Sequence, residues 1–443
     1  MTPPSCDFDV AVIGAGASGL CAAAELCRHG LSVLVLEARD RIGGRIDTRV
    51  VPGLAYPIEL GAEFIHGEAP VTMDLMRAAG IVALDTAGGR IVRRDRQLRP
   101  RDRDFDGVRQ LLQQAESLPQ DMSVEQFLAR YAADPSLEAL RANVRMMVEG
   151  FDAADPQRAS VQAIAREWSG GSLGGQYRPL GGYGGLMSHL ARTLDAARCR
   201  LVLESAVEAI DWGGNTVRIG ARGTAGPVMF SARRAIVTVP VSVLQLGEKE
   251  PGAVRFDPPL EDKRPALGSL AFGPVIKVVL QFRSAFWEQL DGGRFSDVGF
   301  LHGPQAPFPT LWTTLPLRLP LLTAWMGGPR AQRLSGASPE QLIGQALASA
   351  QHVLGVDGPL AEEFVAGHVH DWTGDPHVRG AYSYLTVDGA GAPDVLAQPL
   401  RGRLFFAGEA TSADHSGTVE AALQAGRRAA RAVVGAAREQ TQR

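Results

Sequence analysis

Residues 8–37 read FDVAVIGAGASGLCAAAELCRHGLSVLVLE: a short apolar strand, a glycine-rich turn, an alanine-rich helix and a second apolar strand ending in Glu37. Strand-length apolar runs on either side of a helix-length run predict a βαβ unit, and with it a parallel sheet covered by a helix. Gly14, Gly16 and Gly19 form G-x-G-x-x-G at the strand-to-helix junction. The first glycine permits the tight turn, the second lets a pyrophosphate approach the backbone, and the third lets helix and strand pack closely. The free amides and positive dipole end of the helix then face the phosphates. Glu37 follows Gly19 by 18 residues, close to the roughly 20 expected of the acid that accepts from ribose hydroxyls. A carboxylate there repels a 2′-phosphate, which disfavours NADP. The unit predicts a dinucleotide site, against the plainer reading of a structural βαβ unit with glycines at ordinary turns.

The rest of the chain is long enough for more than that unit. Its 443 residues, 45% hydrophobic and 21% charged, supply apolar mass for two packed cores, so two domains are expected. A net charge of −3 offers no field for nucleic acid or an anionic membrane. The Arg-rich stretch from Arg90 to Arg109 is interleaved with Asp95, Asp102, Asp104 and Asp106 and reads as a solvated face. Cys6, Cys21, Cys27 and Cys199 show no paired zinc spacing and read as free thiols of a reducing cytoplasm. The opening MTPPSCDFDV has neither a basic n-region nor an apolar h-region, no long apolar run follows, and GAAREQTQR at the end is polar. The expectation is a cytoplasmic protein, with neither membrane nor nucleic acid as partner and no metal cluster. Monomer and homodimer both stay open.

Beyond Glu37, ARDRIGGRIDTRV places Gly43 and Gly44 between Arg41 and Arg45, a second loop suited to an extended diphosphate. GAGASGL followed by VLEARDRIGGR resembles the FAD-binding opening of the flavin-containing amine oxidase superfamily, which includes monoamine oxidases, polyamine oxidases, L-amino-acid oxidases and the histone-demethylase oxidases. The resemblance continues in IELGAEFIHG (58–67), RPLGGYGGLMSHLA (178–191), ESAVEAID (204–211) and LFFAGEATSADHSGTVEAALQAG (404–426). It implies an α/β fold: a Rossmann-type FAD-binding domain of the glutathione-reductase and amine-oxidase type, discontinuous, with an inserted α+β substrate domain. The expected boundaries are 1–80, 190–255 and 395–443 for the FAD domain and 81–189 with 256–394 for the substrate domain.

By the same resemblance the FAD contacts fall on Gly14, Gly16, Ser18 and Gly19, on Glu37, Ala38 and Arg39 toward the adenosine, and on Gly44 and Arg45 near the pyrophosphate. Gly61, Ala62, Glu63 and Phe64 run past the flavin through their backbone, Val207 meets the adenine, and Trp372 packs against the isoalloxazine. Gly408, Glu409, Thr418 and Val419 form the C-terminal flavin signature. Glu409 suits the ribityl hydroxyls, and the helix beginning near Thr418 offers its positive end to the pyrimidine, worth about 0.3–2 kcal/mol for the reduced anion. Ala381 stands where monoamine oxidases carry the cysteine bonded to the flavin, so the FAD is expected to be non-covalent.

Lys277 interrupts the strand-like GPVIKVVLQF with a charge. A buried ammonium needs a partner or loses its proton, which marks the position as functional unless it lies on an edge strand and reaches outward. The family's lysine on the matching strand holds a water against flavin N5, and Lys277 inherits that role by resemblance. Tyr382 is expected to form one wall of the substrate cage. Thr418 replaces the tyrosine that forms the other wall in monoamine oxidases, which favours a longer or bulkier amine. His66 stands where polyamine oxidases place a residue that contacts substrate nitrogen; a satisfied loop histidine is the alternative. Trp168, Tyr177 and Tyr183 read as core more readily than as pocket, and Arg178 offers a guanidinium to a substrate carboxylate.

No second G-x-G-x-x-G occurs to serve NAD(P)H, so electrons are expected from an organic substrate. The reading is an FAD-dependent amine oxidase: hydride leaves the carbon beside an amine nitrogen, the imine is hydrolysed, and O2 or another acceptor takes the electrons, O2 giving H2O2. The alternatives are a desaturase or protoporphyrinogen-type oxidase of the same fold, and amine oxidation within a biosynthetic pathway.

Overall fold

The computed structural model describes residues 6–441 except 87, 95–96, 101–103, 170–174, 357–359 and 414; Asp95 and Asp102 of the Arg-rich stretch and residues 1–5 lie outside the described residues. β1 (Phe8–Ile13), α1 (Ala17–Arg28) and β2 (Val33–Leu36) form the βαβ unit, the strands parallel and in register from Val10↔Val33 to Ile13↔Leu36. All four β2 residues are buried, as a strand covered on both faces requires. The sheet continues from β1 to the parallel strand Gly226–Val237, which also takes Leu404–Phe406 in parallel, so its strands come from three separated stretches of chain.

A second, seven-stranded sheet is mainly antiparallel. Beside it, α2 (Glu138–Gly150) and α3 (Val161–Ser169) belong to a helical layer whose helix Val124–Tyr131 begins with the capping box that S-x-x-Q signals in the sequence, Ser123 against Gln126. β3 (Val275–Phe282) runs in the sheet interior between β4 (Leu321–Gly327) and β5 (Phe364–Asp371), and all eight of its residues are buried. Lys277 therefore lies in a central strand and not at an edge. α4 (Val419–Thr441) returns to the first sheet and crosses α1 at Gly426, where an added Cβ would lie 2.2 Å from the Ser18 carbonyl oxygen.

The Arg-rich stretch departs in part from the expected solvated face: Arg99 is exposed, whereas Arg90, Arg93 and Arg94 are half-buried. Residues Gly89–Arg94 form a strand paired in parallel with Val298–His302, which turns alternate side chains inward. Arg90 lies 5.4 Å from the Phe300 ring centroid, and Arg93 donates to the Val353 carbonyl.

Candidate active site

One cavity of about 1020 Å³ opens at the carboxyl ends of the parallel strands, where β1 runs into Gly14 and β2 into Glu37, and extends between the two sheets. This is where open α/β sheets hold their ligands.

Its first half is a backbone cradle. Gly14 has φ +107°, and a Cβ on Gly19 would lie 1.9 Å from the Gly14 carbonyl oxygen, so α1 can only approach β1 with glycine there. Ser18 Oγ is buried and has no hydrogen-bond partner among the described residues. The Glu37 carboxylate accepts from the amides of Ala15 (2.8 Å) and Arg39 (3.0 Å), tying the end of β2 to the glycine-rich turn. Gly44, at φ +58°, rests against Gly16, and a Cβ on Gly61 would lie 1.9 Å from the Arg45 carbonyl oxygen. Ala38 and Val207 line the same end.

Several charged groups predicted to meet the cofactor are also engaged by the protein. The Arg39 guanidinium donates to both Asp375 oxygens at 2.6 and 2.7 Å. Arg45 donates to Glu409 Oε1 (2.8 Å) and the Ala381 carbonyl (2.7 Å), while Glu409 Oε2 accepts from Ser383 Oγ (2.7 Å) and the Gly417 amide (3.0 Å). Glu409 thus braces Arg45 and the lead into α4, and Gly408 before it has φ +126°. Thr418 accepts from the Ala421 amide at 3.1 Å and is the cap of α4, which places the first helical residue at Val419. The glycine cradle and the orphaned Ser18 hydroxyl fit the pyrophosphate of an extended FAD, and the N-terminus of α4 at the cavity wall fits its pyrimidine end.

The second half is aromatic and charged. Lys277, 1% exposed, donates to Glu63 Oε2 (2.6 Å) and the Gly61 carbonyl (3.1 Å). Trp372 donates to the Leu60 carbonyl at 2.8 Å and stacks on His370 with centroids 3.8 Å apart. Tyr382 packs against Gly417 and donates its hydroxyl to the Phe151 carbonyl. Phe64 contacts Trp312 and Phe300 at 5.4 and 5.7 Å, and His66 lies edge-on to Phe151 at 5.3 Å. Burial, aided by Arg90, lowers the His66 pKa to about 4, so its ring is neutral at physiological pH.

Arg178 takes a different place from the one its chemistry suggested. It donates to the carbonyls of Leu315 and Thr313, sits 3.1 Å from Glu63 and covers the Phe64 ring, which leaves it a structural cation and not a receptor for a substrate carboxylate. Trp168 and Tyr183 are buried in the cores.

Sequence reasoning missed Asp152 and Glu167, which line the cavity together. Asp152 Oδ1 accepts from Trp168 Nε1 at 3.2 Å, whereas its buried Oδ2 has no partner among the described residues. Burial raises both carboxyl groups, and Glu167 raises Asp152 further, so the pair resists double ionisation when no cation is present. The signal was faint: Glu167 follows Ile164 by three residues and so flanks the apolar stripe of α3.

The model of the flavin containing amine oxidoreductase family matches residues 17–434. Similar proteins include lysine-specific histone demethylase 2 of Homo sapiens, 28% identical over 95% of this chain and 53% of that protein, and polyamine oxidase 2 of Arabidopsis thaliana, 29% identical over 95% and 87%. The chain spans about half the length, or less, of the demethylase-type relatives it matches. The solved structure of cyclohexylamine oxidase from Brevibacterium oxydans superposes with a TM-score of 0.79 at 23% identity, covering 99% of this chain and 100% of that one, a likeness of fold.

Proposed function

Because the chain belongs to the flavin-containing amine oxidoreductase family, with FAD as its cofactor, we propose that it oxidises an amine carrying a second cationic group, at the carbon beside the reacting nitrogen. The observation that carries this reading is the pair Asp152 and Glu167 in the same cavity as the dinucleotide cradle. Two carboxyl groups held against ionisation by burial, Asp152 further by Glu167, receive a cation readily, because its charge relieves those penalties.

The proposed division of labour follows the two halves of the cavity. The cradle of Gly14, Gly16, Ser18 and Gly19, with Glu37, Ala38, Arg39, Gly44, Arg45 and Val207, holds the FAD non-covalently. Gly61, Ala62, Glu63, Phe64, Trp372, Gly408, Glu409, Thr418 and Val419 surround its flavin end. Residues 1–80, 190–255 and 395–443 are taken as the FAD unit, and 81–189 with 256–394 as the substrate unit. When bound, FAD supplies the two-electron acceptor for the substrate hydride.

The chain's own residues do the rest. Asp152 and Glu167 anchor the distal ammonium and so fix which carbon is presented. Tyr382, locked through its hydroxyl to Phe151, gives a rigid ring against which the alkyl chain lies. His66, neutral, accepts a hydrogen bond from the reacting amine without adding a positive charge of its own, while the buried aromatic wall favours the amine's uncharged form, which alone has a lone pair to assist hydride loss. Lys277 holds a water at the flavin edge. The imine then leaves for hydrolysis, with O2 as the proposed final acceptor and H2O2 as product.

The test is anaerobic addition of matched monoamines and diamines to the yellow holoprotein. Bleaching of the visible flavin band by diamines at concentrations at least about tenfold below those needed with monoamines supports the reading. Equal response to both removes the carboxyl pair from substrate selection.

A further inference from the structure

Glu63 was expected to meet the cofactor through its backbone, yet its side chain is the hub of a buried charge cluster. One oxygen lies 2.6 Å from Lys277 Nζ, the other 3.1 Å from Arg178 Nε, and Trp312 Nε1 donates to the carboxylate at 3.1 Å. The three partners come from three strands: β3, Gln176–Pro179 and Thr310–Trp312. Burial opposes the carboxylate, but Lys277 and Arg178 outweigh it and hold Glu63 below the ordinary glutamate range. The cluster therefore sums to one positive charge from two cations and one anion. Without Glu63, Lys277 would keep only the Gly61 carbonyl as a hydrogen-bond partner among the described residues, and its flexible stem would be free to choose other rotamers.

We propose that Glu63 is a positioning residue that fixes the Lys277 ammonium and masks half of the cationic charge presented to the flavin, thereby holding down the flavin's electron affinity. The proposal rests on Lys277 facing the flavin's reactive edge, as assigned under the proposed function. A positive charge near that edge stabilises the anion formed when the flavin accepts an electron pair, and a neutralising carboxylate subtracts from that stabilisation. Arg178 does not replace Lys277 in this role, since its remaining nitrogens are committed to the Thr313 and Leu315 carbonyls.

The test uses sulfite, which donates its electron pair to the oxidised flavin and breaks no substrate bond, so it reads the flavin's electron affinity without amine turnover. Glu63→Gln keeps the shape and removes the charge; it should bind sulfite at least tenfold more tightly. The midpoint potential should rise by about 30 mV, the two-electron equivalent of tenfold. Lys277→Met should move both quantities the other way, and Glu63→Asp should stay within about threefold of the parent.

Glu63→Gln with bound FAD and unchanged sulfite affinity overturns the proposal, as does Glu63→Asp behaving like Glu63→Gln. If Glu63→Gln does not retain FAD, Lys277→Met decides: weaker sulfite binding upholds the charge account, and no change overturns it. Failure of every amine to bleach the flavin would sink the proposed function while leaving these shifts intact, so the two readings fail separately.

Discussion

At the scale of single residues, the acids Asp152 and Glu167 at the cavity wall govern the choice of substrate in the proposed function. Asp152→Asn should raise the KM for a diamine at least tenfold, equivalent to about 1.4 kcal/mol, with little change for a monoamine of the same length. The pH dependence has a definite sign. Burial pushes Glu167 up to about 7, so the pair is incompletely ionised below that value and diamine binding should tighten as pH rises through it. The Glu167→Gln variant should lose that inflection in a plot of log KM against pH. His66 adds none in this range, because it titrates near 4. Lys277 was legible in the sequence because a charge interrupts an otherwise apolar strand. Its partner was not, since Glu63 lies 214 residues away and no local pattern joins them. Asp152 and Glu167 escaped for a related reason: an acid in the bend after a helix, or on the flank of a helical stripe, reads as solvated until the fold closes a cavity over it.

At the scale of elements, the glycine-rich turn makes a sharp claim. Gly19→Ala would drive a Cβ to within 1.9 Å of the Gly14 carbonyl oxygen, and the resulting displacement of α1 should cost at least about 3 kcal/mol. The variant should melt lower and lose FAD on gel filtration. Gly344 is the control. It lies inside the helix Pro339–Leu354 with nothing within 4 Å of an added Cβ, so Gly344→Ala should stabilise by about 0.5–1 kcal/mol. These elements were readable because their signals are local: the βαβ unit from apolar runs around glycine, and a helix start from Ser123 with Gln126. The strand at Gly89–Arg94 is half-covered where a solvated face was expected, because what covers it is pairing with Val298–His302, two hundred residues downstream.

At the scale of the whole molecule, one network joins the first sheet's loops to the second sheet. His370 on β5 lies 3.0 Å from Asp375 and 3.6 Å from Asp47, while Arg39 grips Asp375 and Arg49 grips Asp47. Burial disfavours the charged imidazole, but its contacts with Asp375 and Asp47 outweigh that and raise its pKa. The stabilisation this provides is therefore complete below the unfolded value of about 6.5 and is lost as pH rises through the higher folded value. FAD release should quicken on the alkaline side, and His370→Gln should flatten that dependence. No spacing in the sequence foretold this junction, which exists only once the two sheets meet. The measurement that bears most directly on the account is the rate of flavin bleaching in the anaerobic holoprotein mixed with a diamine, unlabelled or deuterated at the carbons beside nitrogen. Cleavage of that C–H bond predicts bleaching that slows several-fold on deuteration. A flavin that dithionite reduces but no amine bleaches would contradict it.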